Sequence, residues 1–275
     1  MRTSWKIGLV CAVTLFPIVT GVSCKNNTAL KSEAHPGAER SRFYLLFIDL
    51  TLSLNDSQTT SVRRSLNILF AAMPPRSRVI VFPLGASVEH SGPLLEASLP
   101  DELTTLDKIR LTNERGTIES SLQNAITSLL PSAKASGYLA HTCISDALRQ
   151  ASQTVRQART NEDVEIVLVS DMLEDCGESI LGGALSLEKD DATAELKRVR
   201  AKPKSEMLLD LRHARVTAIL PSSGVSKLKI KQPSVDQIRQ FWRAVLDHCN
   251  DDPEFYNLDT SLPDDLGHLQ TPRKS

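Results

Sequence analysis

The sequence predicts an α/β fold in which a mainly parallel sheet is covered by helices on both faces. Apolar runs of strand length alternate along the chain with segments of helical periodicity. Continuous apolar strands are typical of sheets that are buried on both faces. Their alternation with helices favours βαβ units and a doubly wound sheet. The 275 residues leave room for one ordinary domain once the two ends are set aside.

Four segments have the composition of buried strands. They are residues 43–49, 78–84, 164–171 and 215–221. The first ends in Asp49 and the third in Asp171. Between the second strand and residue 115, Pro93 and Pro100 interrupt a stretch of alternating polar residues, which predicts an edge strand and loops.

Helical spacing of apolar residues marks the segments between the strands. The predicted helices are residues 57–72, 118–130, 144–158, 188–200, 204–211 and 235–248. Pro74-Pro75 is expected to end the first helix, and Pro131 the second. The last helix contains Phe241-Trp242, a pair that could form an exposed contact but on a closing helix is more often core.

The N-terminus has the pattern of an export signal. Arg2 and Lys6 precede an apolar run over residues 7–19, and small residues follow before Cys24. The run is shorter than the roughly 20 residues of a transmembrane helix. We therefore expect residues 1–23 to be a cleaved signal peptide, and the polar residues 24–41 to be a flexible tether.

The cysteine at the expected cleavage site predicts a lipid anchor. Gly21-Val22-Ser23-Cys24 resembles a bacterial lipobox, with glycine where leucine is usual. Ordinary cleavage after Ser23 is the alternative. Lys25, rather than aspartate, follows the cysteine and favours the outer membrane in a Gram-negative cell. The expectation is an exported protein, in the periplasm or on the cell surface, anchored to the outer membrane through Cys24.

The rest of the chain is predicted to form one domain over residues 42–249, followed by a disordered tail over residues 250–275 that is rich in aspartate and proline. Charged residues make up 24% and hydrophobic residues 41% of the sequence, as in soluble globular proteins. A net charge of −1 provides no general attraction to nucleic acid. A nucleic-acid partner is therefore not expected.

Three loops carry oxygen-bearing side chains at the carboxyl ends of the predicted strands. Asp-x-Thr-x-Ser occupies residues 49–53, Ser170 and Asp171 end the third strand, and Thr142 precedes a helix. Each element alone also fits turn or helix-cap chemistry. Doubly wound sheets bind their ligands beyond the carboxyl ends of the strands, so the three loops together indicate a site.

These residues resemble the metal-ion-dependent adhesion site of von Willebrand factor type A (VWA) domains. Residues 49–53 match the family's Asp-x-Ser-x-Ser motif, with threonine in place of the first serine. Thr142 resembles the second loop and Asp171 the third, where Met172 replaces the usual glycine. The resemblance covers residues 42–249 and implies a VWA-like fold. It implies a Mg²⁺ or Mn²⁺ site with the ligands Asp49, Thr51, Ser53, Thr142 and Asp171.

The resemblance also implies how such a site works. Mg²⁺ prefers oxygen ligands in near-octahedral geometry and keeps several waters. In the family, few directly bound carboxylates leave the ion electrophilic, so that an acidic side chain of a protein partner completes its shell. The expected function is therefore non-enzymatic, metal-dependent protein binding in the cell envelope. The alternatives are a VWA scaffold with a decayed metal site that acts in envelope complex assembly, and a metal-dependent hydrolase. The sequence lacks the Gly-x-Ser-x-Gly and His-Glu-x-x-His motifs.

Two cysteines should lie near the predicted site. Cys143 follows Thr142, and Cys176 lies five residues after Asp171. In an oxidising compartment, a disulfide between them would join the two metal-site loops. Free thiols, a bond from either cysteine to Cys249, and a zinc site that includes His141 are the alternatives. The acids on the same rim, Asp56, Glu174 and Asp175, are interpreted as solvated or capping charges rather than ligands.

Overall fold

The structure, a computed structural model, describes a large part of one compact unit that spans residues 39–275. The described residues are 41–50, 56–85, 92–101, 104–137, 141–158, 162–187, 191–203, 209–211, 214–220, 234–248 and 254–257. The predicted signal peptide, the tether and Cys24 lie outside these ranges, as do Thr51, Ser53 and Cys249.

The core of the described chain is a six-stranded sheet. The described residues form eight strands in all, which are β1 (Ser41–Asp49), β2 (Arg78–Leu84), β3 (Leu95–Ser98), β4 (Glu162–Val169), β5 (Asp175–Cys176), β6 (Leu185–Ser186), β7 (Ala214–Leu220) and β8 (Glu254–Asn257). Six of them pair in the order β3-β2-β1-β4-β7-β8, and β5 pairs with β6 in a separate ribbon. In the sheet, β3 is antiparallel to β2 and the other pairs are parallel. The predicted fold class and the edge strand are confirmed.

Helices cover both faces of this sheet. They are α1 (Asp56–Ala72), α2 (Thr105–Ala135), α3 (Ile144–Val155), α4 (Ala192–Ala201) and α5 (Val235–His248). Alternate residues of β1 enter two different hydrophobic clusters, one with α1 and α2, the other with α3, α4 and α5. This two-sided burial explains why β1 is apolar at consecutive positions. Among the described helices, none combines the length and apolar character needed to cross a membrane.

Helix α2 is longer than the sequence pattern indicates. It begins at Thr105 instead of 118 and continues through Pro131, where we expected it to end. The missed start carries a local signal: the Thr104 hydroxyl accepts a hydrogen bond from the backbone N–H of Asp107 at 3.2 Å, and the Asp107 carboxylate accepts from the backbone N–H of Thr104 at 2.8 Å. This reciprocal capping box satisfies the first turn of a helix. The prediction of loops up to residue 115 is therefore wrong for residues 105–115.

Two further predictions need correction. Residues 254–257 form β8 beside β7, within the segment expected to be a disordered tail. Their sequence, Glu-Phe-Tyr-Asn, contains two aromatic residues that favour strands. Residues 209–211 are not helical, and residues 204–208 of the same predicted helix lie outside the described residues. Leu209 and Leu211 are buried in the core, which accounts for their apolar spacing without a helix.

Candidate metal centre

The centre lies at the carboxyl ends of two neighbouring strands. In the parallel register of β1 and β4, Ile48 is opposite Val169, so Asp49 and Ser170 follow next to each other. From β1 the chain continues to β2 on one side, whereas β4 and β7 extend the sheet on the other side. This change of direction is the switch point at which doubly wound folds bind ligands.

A buried carboxylate forms the base of the centre. Asp49 is fully buried, and its Oδ2 accepts a hydrogen bond from Ser170 Oγ at 2.7 Å. Thr142 Oγ1 also approaches this oxygen, at 3.5 Å. Because an ionised carboxylate is costly to bury without polar partners, the two hydroxyls stabilise Asp49 in place. Three segments that are distant in sequence thus bring three oxygen atoms together.

The second acid of the centre follows directly after Ser170. Asp171 is half-buried, and its Oδ1 accepts a hydrogen bond from the backbone N–H of Leu173 at 3.0 Å. This closes an Asx turn that fixes the side chain of Asp171 relative to its own loop. The turn leads the chain from the end of β4 toward the N-terminus of α3.

The structure brings together part of the predicted ligand set. Asp49 and Thr142 are in contact, and Asp171 lies in the loop that continues from Ser170. Sequence reasoning missed the role of Ser170, whose hydroxyl makes the shorter of the two contacts to Asp49. The signal that could have identified it is register, since a hydroxyl one residue beyond β4 must lie beside the acid that ends β1.

The donor set fits a small, hard cation. Asp49 and Asp171 offer carboxylate oxygens and Thr142 a neutral hydroxyl, which are the ligand types that Mg²⁺ and Mn²⁺ prefer. When bound, such an ion would supply a positive charge at this end of the sheet. Asp49, Thr142 and Asp171 would hold the ion, and Ser170 would orient the Asp49 carboxylate.

Met172 preserves a turn that glycine would normally provide. Its φ is +62°, in the left-handed region that favours glycine. The backbone N–H of Met172 donates a hydrogen bond to Ser170 Oγ at 3.0 Å, and the carbonyl of Met172 accepts one from Trp242 Nε1 at 2.9 Å. The fully buried side chain adds packing that glycine would lack. These contacts offset the backbone strain, which is on the order of 1–3 kcal/mol.

Glu174 caps helix α3 from a different loop. It is fully buried, and its carboxylate accepts hydrogen bonds from the backbone N–H groups of Ile144, at 2.6 Å, and Ser145, at 3.2 Å. The residue at the N-cap, Cys143, makes no side-chain capping bond. The interpretation of Glu174 as a capping charge is confirmed, but it is not solvated.

The buried position of Glu174 predicts a pH-dependent stability. Burial raises its pKa from 4.5 to about 7, while hydrogen bonds from Ser145 and Ile144 act in the opposite direction. The folded protein therefore holds this proton at a pH where the unfolded chain has lost it. The free energy of unfolding should fall as the pH rises from about 4.5 to 7, by an amount on the order of 3 kcal/mol.

Urea unfolding of the unaltered chain and of Glu174→Gln, at pH 5 and pH 8, checks this. The variant cannot ionise at this position, so its stability should change less between the two pH values. Glu178→Gln is the matched control, because Glu178 is an exposed acid of the same loop. An equal pH dependence in the unaltered chain and in Glu174→Gln would contradict the prediction.

The structure places Cys143 and Cys176 in a disulfide, with Cα atoms 4.8 Å apart. The two sulfurs and the Glu174 carboxylate lie within 4.8 Å of one another and are all buried. A disulfide sulfur is not a thiolate, so this group offers no cysteine ligand for zinc in this state. His141 pairs through Nδ1 with Asp175 Oδ2 at 2.7 Å.

On α5, Phe241 and Trp242 are both fully buried, as expected for core residues.

No family model matches the sequence, and no match was found among curated proteins. Solved structures do show similarity. They include VWA domains. One, from Catenulispora acidiphila, is 10% identical with a TM-score of 0.45, over 84% of this chain and 42% of that one. Another is the SpRpn10 VWA domain, 11% identical with a TM-score of 0.41, over 85% of this chain and 99% of that one. BatB from Bacteroides thetaiotaomicron is 10% identical with a TM-score of 0.46, over 84% of this chain and 96% of that one. The strand order and register of this chain define its fold independently of these structures.

Proposed function

We propose that this chain is a non-enzymatic module that binds a protein partner through Mg²⁺ or Mn²⁺. The observation that carries the proposal is the convergence of Asp49 Oδ2, Thr142 Oγ1 and Ser170 Oγ at the switch point of the sheet. Thr51 and Ser53, which follow Asp49 in the same motif, complete the proposed ligand set together with Asp171.

The type of oxygen donor favours binding over catalysis. Three of the five proposed ligands are neutral hydroxyls, so the ion keeps more of its attraction for anions than in a site made of carboxylates alone, and an acidic side chain of the partner can complete its shell. The hydroxyl of Ser170 donates to the Asp49 carboxylate, which is not the arrangement of a serine activated by a histidine base. The nearby imidazole of His141 pairs with Asp175.

The N-terminal sequence supports a location of the module in the cell envelope. Residues 1–23 have the pattern of an export signal, and Cys24 stands at a lipobox-like position. We propose that the lipidated Cys24 attaches the chain to the outer membrane. The partner would then be a protein of the periplasm or the cell surface that presents an acidic side chain.

Thermal unfolding of the full chain in mild detergent tests the cation site. A ligand that binds only the folded state raises the melting temperature with its concentration. Melting is recorded in EDTA, in Mg²⁺ and in Mn²⁺, each at several millimolar. A cation-dependent rise supports the proposal. Identical melting in all three solutions would instead support a scaffold whose metal site has decayed.

Whether the bound ion can accept a carboxylate from outside the chain can be tested before the partner is known. Bound Mn²⁺ accelerates the relaxation of water protons through its coordinated waters, and a carboxylate that displaces one of them lowers this enhancement. Acetate, titrated into the Mn²⁺-loaded protein, serves as the probe, and methanesulfonate is the control anion. A saturable decrease with acetate alone is expected. Indifference to acetate would contradict an open coordination position.

A further inference from the structure

The loops that carry Thr142 and Asp171 are tied together by several bonds. The backbone N–H of Asp175 donates to the carbonyl of Thr142 at 2.8 Å. The backbone N–H of Ile180 donates to Ser145 Oγ at 3.2 Å, and Glu174 accepts from the first turn of α3. The disulfide between Cys143 and Cys176 is the covalent member of this set.

The disulfide also reaches the cation site through one residue. Cys143 directly follows Thr142, and its backbone N–H donates to the carbonyl of Gly85, at the end of β2, at 3.0 Å. The position of Cys143 therefore constrains the backbone of Thr142, which carries the hydroxyl. That hydroxyl lies 3.5 Å from Asp49 Oδ2, at the limit of a hydrogen bond, so a small displacement removes the contact.

We propose that the Cys143–Cys176 disulfide is a positioning element whose redox state sets the affinity of the site for divalent cations. The inference rests on the cation site proposed above. In the disulfide form, Thr142 is held beside Asp49. In the dithiol form, the two loops separate and the affinity falls.

The chemical step is a thiol–disulfide exchange with a dithiol reductant. A thiolate of the reductant attacks the sulfur of Cys176, which is 7% exposed, whereas Cys143 is fully buried. The S–S bond breaks, Cys143 leaves as a thiolate, and the second thiol of the reductant then displaces Cys176. The reductant becomes a disulfide, and the protein gains two electrons and two protons as two thiols.

Because the site is closely packed, reduction of the disulfide should displace the two loops. Bonded sulfurs lie about 2.05 Å apart, whereas non-bonded heavy atoms require about 3.5–4.0 Å. The cluster of Cys143, Cys176 and Glu174 is buried, and a close-packed interior has no spare volume for the separated sulfurs. The extra distance must be taken up by the two loops. Ser170 is bonded to Asp49 and not to this cluster, so its contact should persist.

The experiment measures the dissociation constant for Mn²⁺ from the signal of free Mn²⁺ in electron paramagnetic resonance. The full chain is used with Cys11, Cys24 and Cys249 replaced by serine, so that Cys143 and Cys176 are the remaining cysteines. It is measured as the disulfide, after reduction with dithiothreitol and anaerobic desalting, and after reoxidation. Reduction should raise the dissociation constant at least tenfold, as loss of groups that orient metal ligands typically does, and reoxidation should restore it.

Two variants separate positioning from general stability. Cys143→Ser/Cys176→Ser should bind Mn²⁺ as weakly as the reduced protein and should not respond to dithiothreitol. Ser145→Ala loses the hydrogen bond from Ile180 and the side-chain hydrogen bond to Glu174 but keeps the disulfide, so its affinity should stay within about threefold and remain redox-sensitive. Far-UV circular dichroism in EDTA monitors the fold of each form.

The outcomes are distinct. Equal Mn²⁺ affinity of the disulfide and dithiol forms would overturn the inference and leave the proposed function intact. Absence of Mn²⁺ binding by the disulfide form would overturn both. If reduction unfolds the chain, the disulfide acts on global stability, and the inference is likewise overturned.

Discussion

Asp49→Ala should abolish the stabilisation of this protein by divalent cations. Asp49 Oδ2 is the atom at which the hydroxyls of Ser170 and Thr142 meet, so its removal eliminates the common centre of the proposed ligand set. It also removes the buried negative charge that attracts the ion. At a Mg²⁺ concentration about 100 times the dissociation constant, the unaltered chain should gain about 2.7 kcal/mol, equivalent to roughly 5–10 °C in melting temperature.

The difference between melting in EDTA and in Mg²⁺ is the relevant measurement for Asp49→Ala. Comparing each protein with itself removes any effect of the substitution on the cation-free fold. Asp101→Ala is the matched control, because Asp101 is an exposed acid that pairs with Arg76. This pair lies where β2 begins and β3 ends, away from the carboxyl ends of β1 and β4. The control should keep the full cation effect. A normal Mg²⁺ response in Asp49→Ala would place the cation elsewhere.

Trp242→Ala should lower the free energy of unfolding more than the other substitutions proposed on α5. Trp242 is fully buried on α5, packs edge-to-face against Phe241 with ring centroids 5.1 Å apart, and donates from Nε1 to the carbonyl of Met172. Truncation of a large buried aromatic side chain typically costs about 3–5 kcal/mol. The loss also leaves the Met172 carbonyl, in a strained left-handed turn, without this donor.

Urea unfolding of two further variants separates the contribution of the Trp242 hydrogen bond from that of its packing. Trp242→Phe retains most of the packing but removes the hydrogen bond, so it should cost about 1–3 kcal/mol. Gln240→Ala, at an exposed position of the same helix, should cost no more than about 0.5 kcal/mol. If Trp242→Phe were as stable as the unaltered chain, the bond to Met172 would have no part in holding the loop.

The parts of the fold that the sequence predicted are those in which local pattern and burial agree. Strands β1, β2, β4 and β7 are apolar because both faces are covered, and this is visible in the sequence as continuous runs. Helix α5 has a clear apolar stripe, and its predicted limits match the structure. The start of α2 was missed because it is marked by a capping box at Thr104 and Asp107 and not by apolar periodicity, since Leu106 beside it is exposed.

The candidate site was predictable only in outline. Asp49, Thr142 and Asp171 could be identified because acids and hydroxyls stand at strand ends in a recognisable order. The role of Glu174 was not predictable, and that of Ser170 required the register of β1 and β4, because each depends on a contact between segments far apart in sequence. Ser170 bonds to a residue 121 positions away, and Glu174 to one 30 positions away. No local pattern specifies such pairs.

The cap that Glu174 provides to α3 has a consequence for the order in which the protein folds. The first turn of α3 depends on a carboxylate that enters the chain 30 residues later, beyond the whole of β4. A chain emerging from the ribosome cannot complete this helix terminus until β4 has been synthesised and Glu174 has reached α3. Contacts of such sequence separation form late, because the intervening loop must close first. The proposed cation site, which takes residues from the ends of β1 and β4, would therefore form only once these strands of the central sheet have paired.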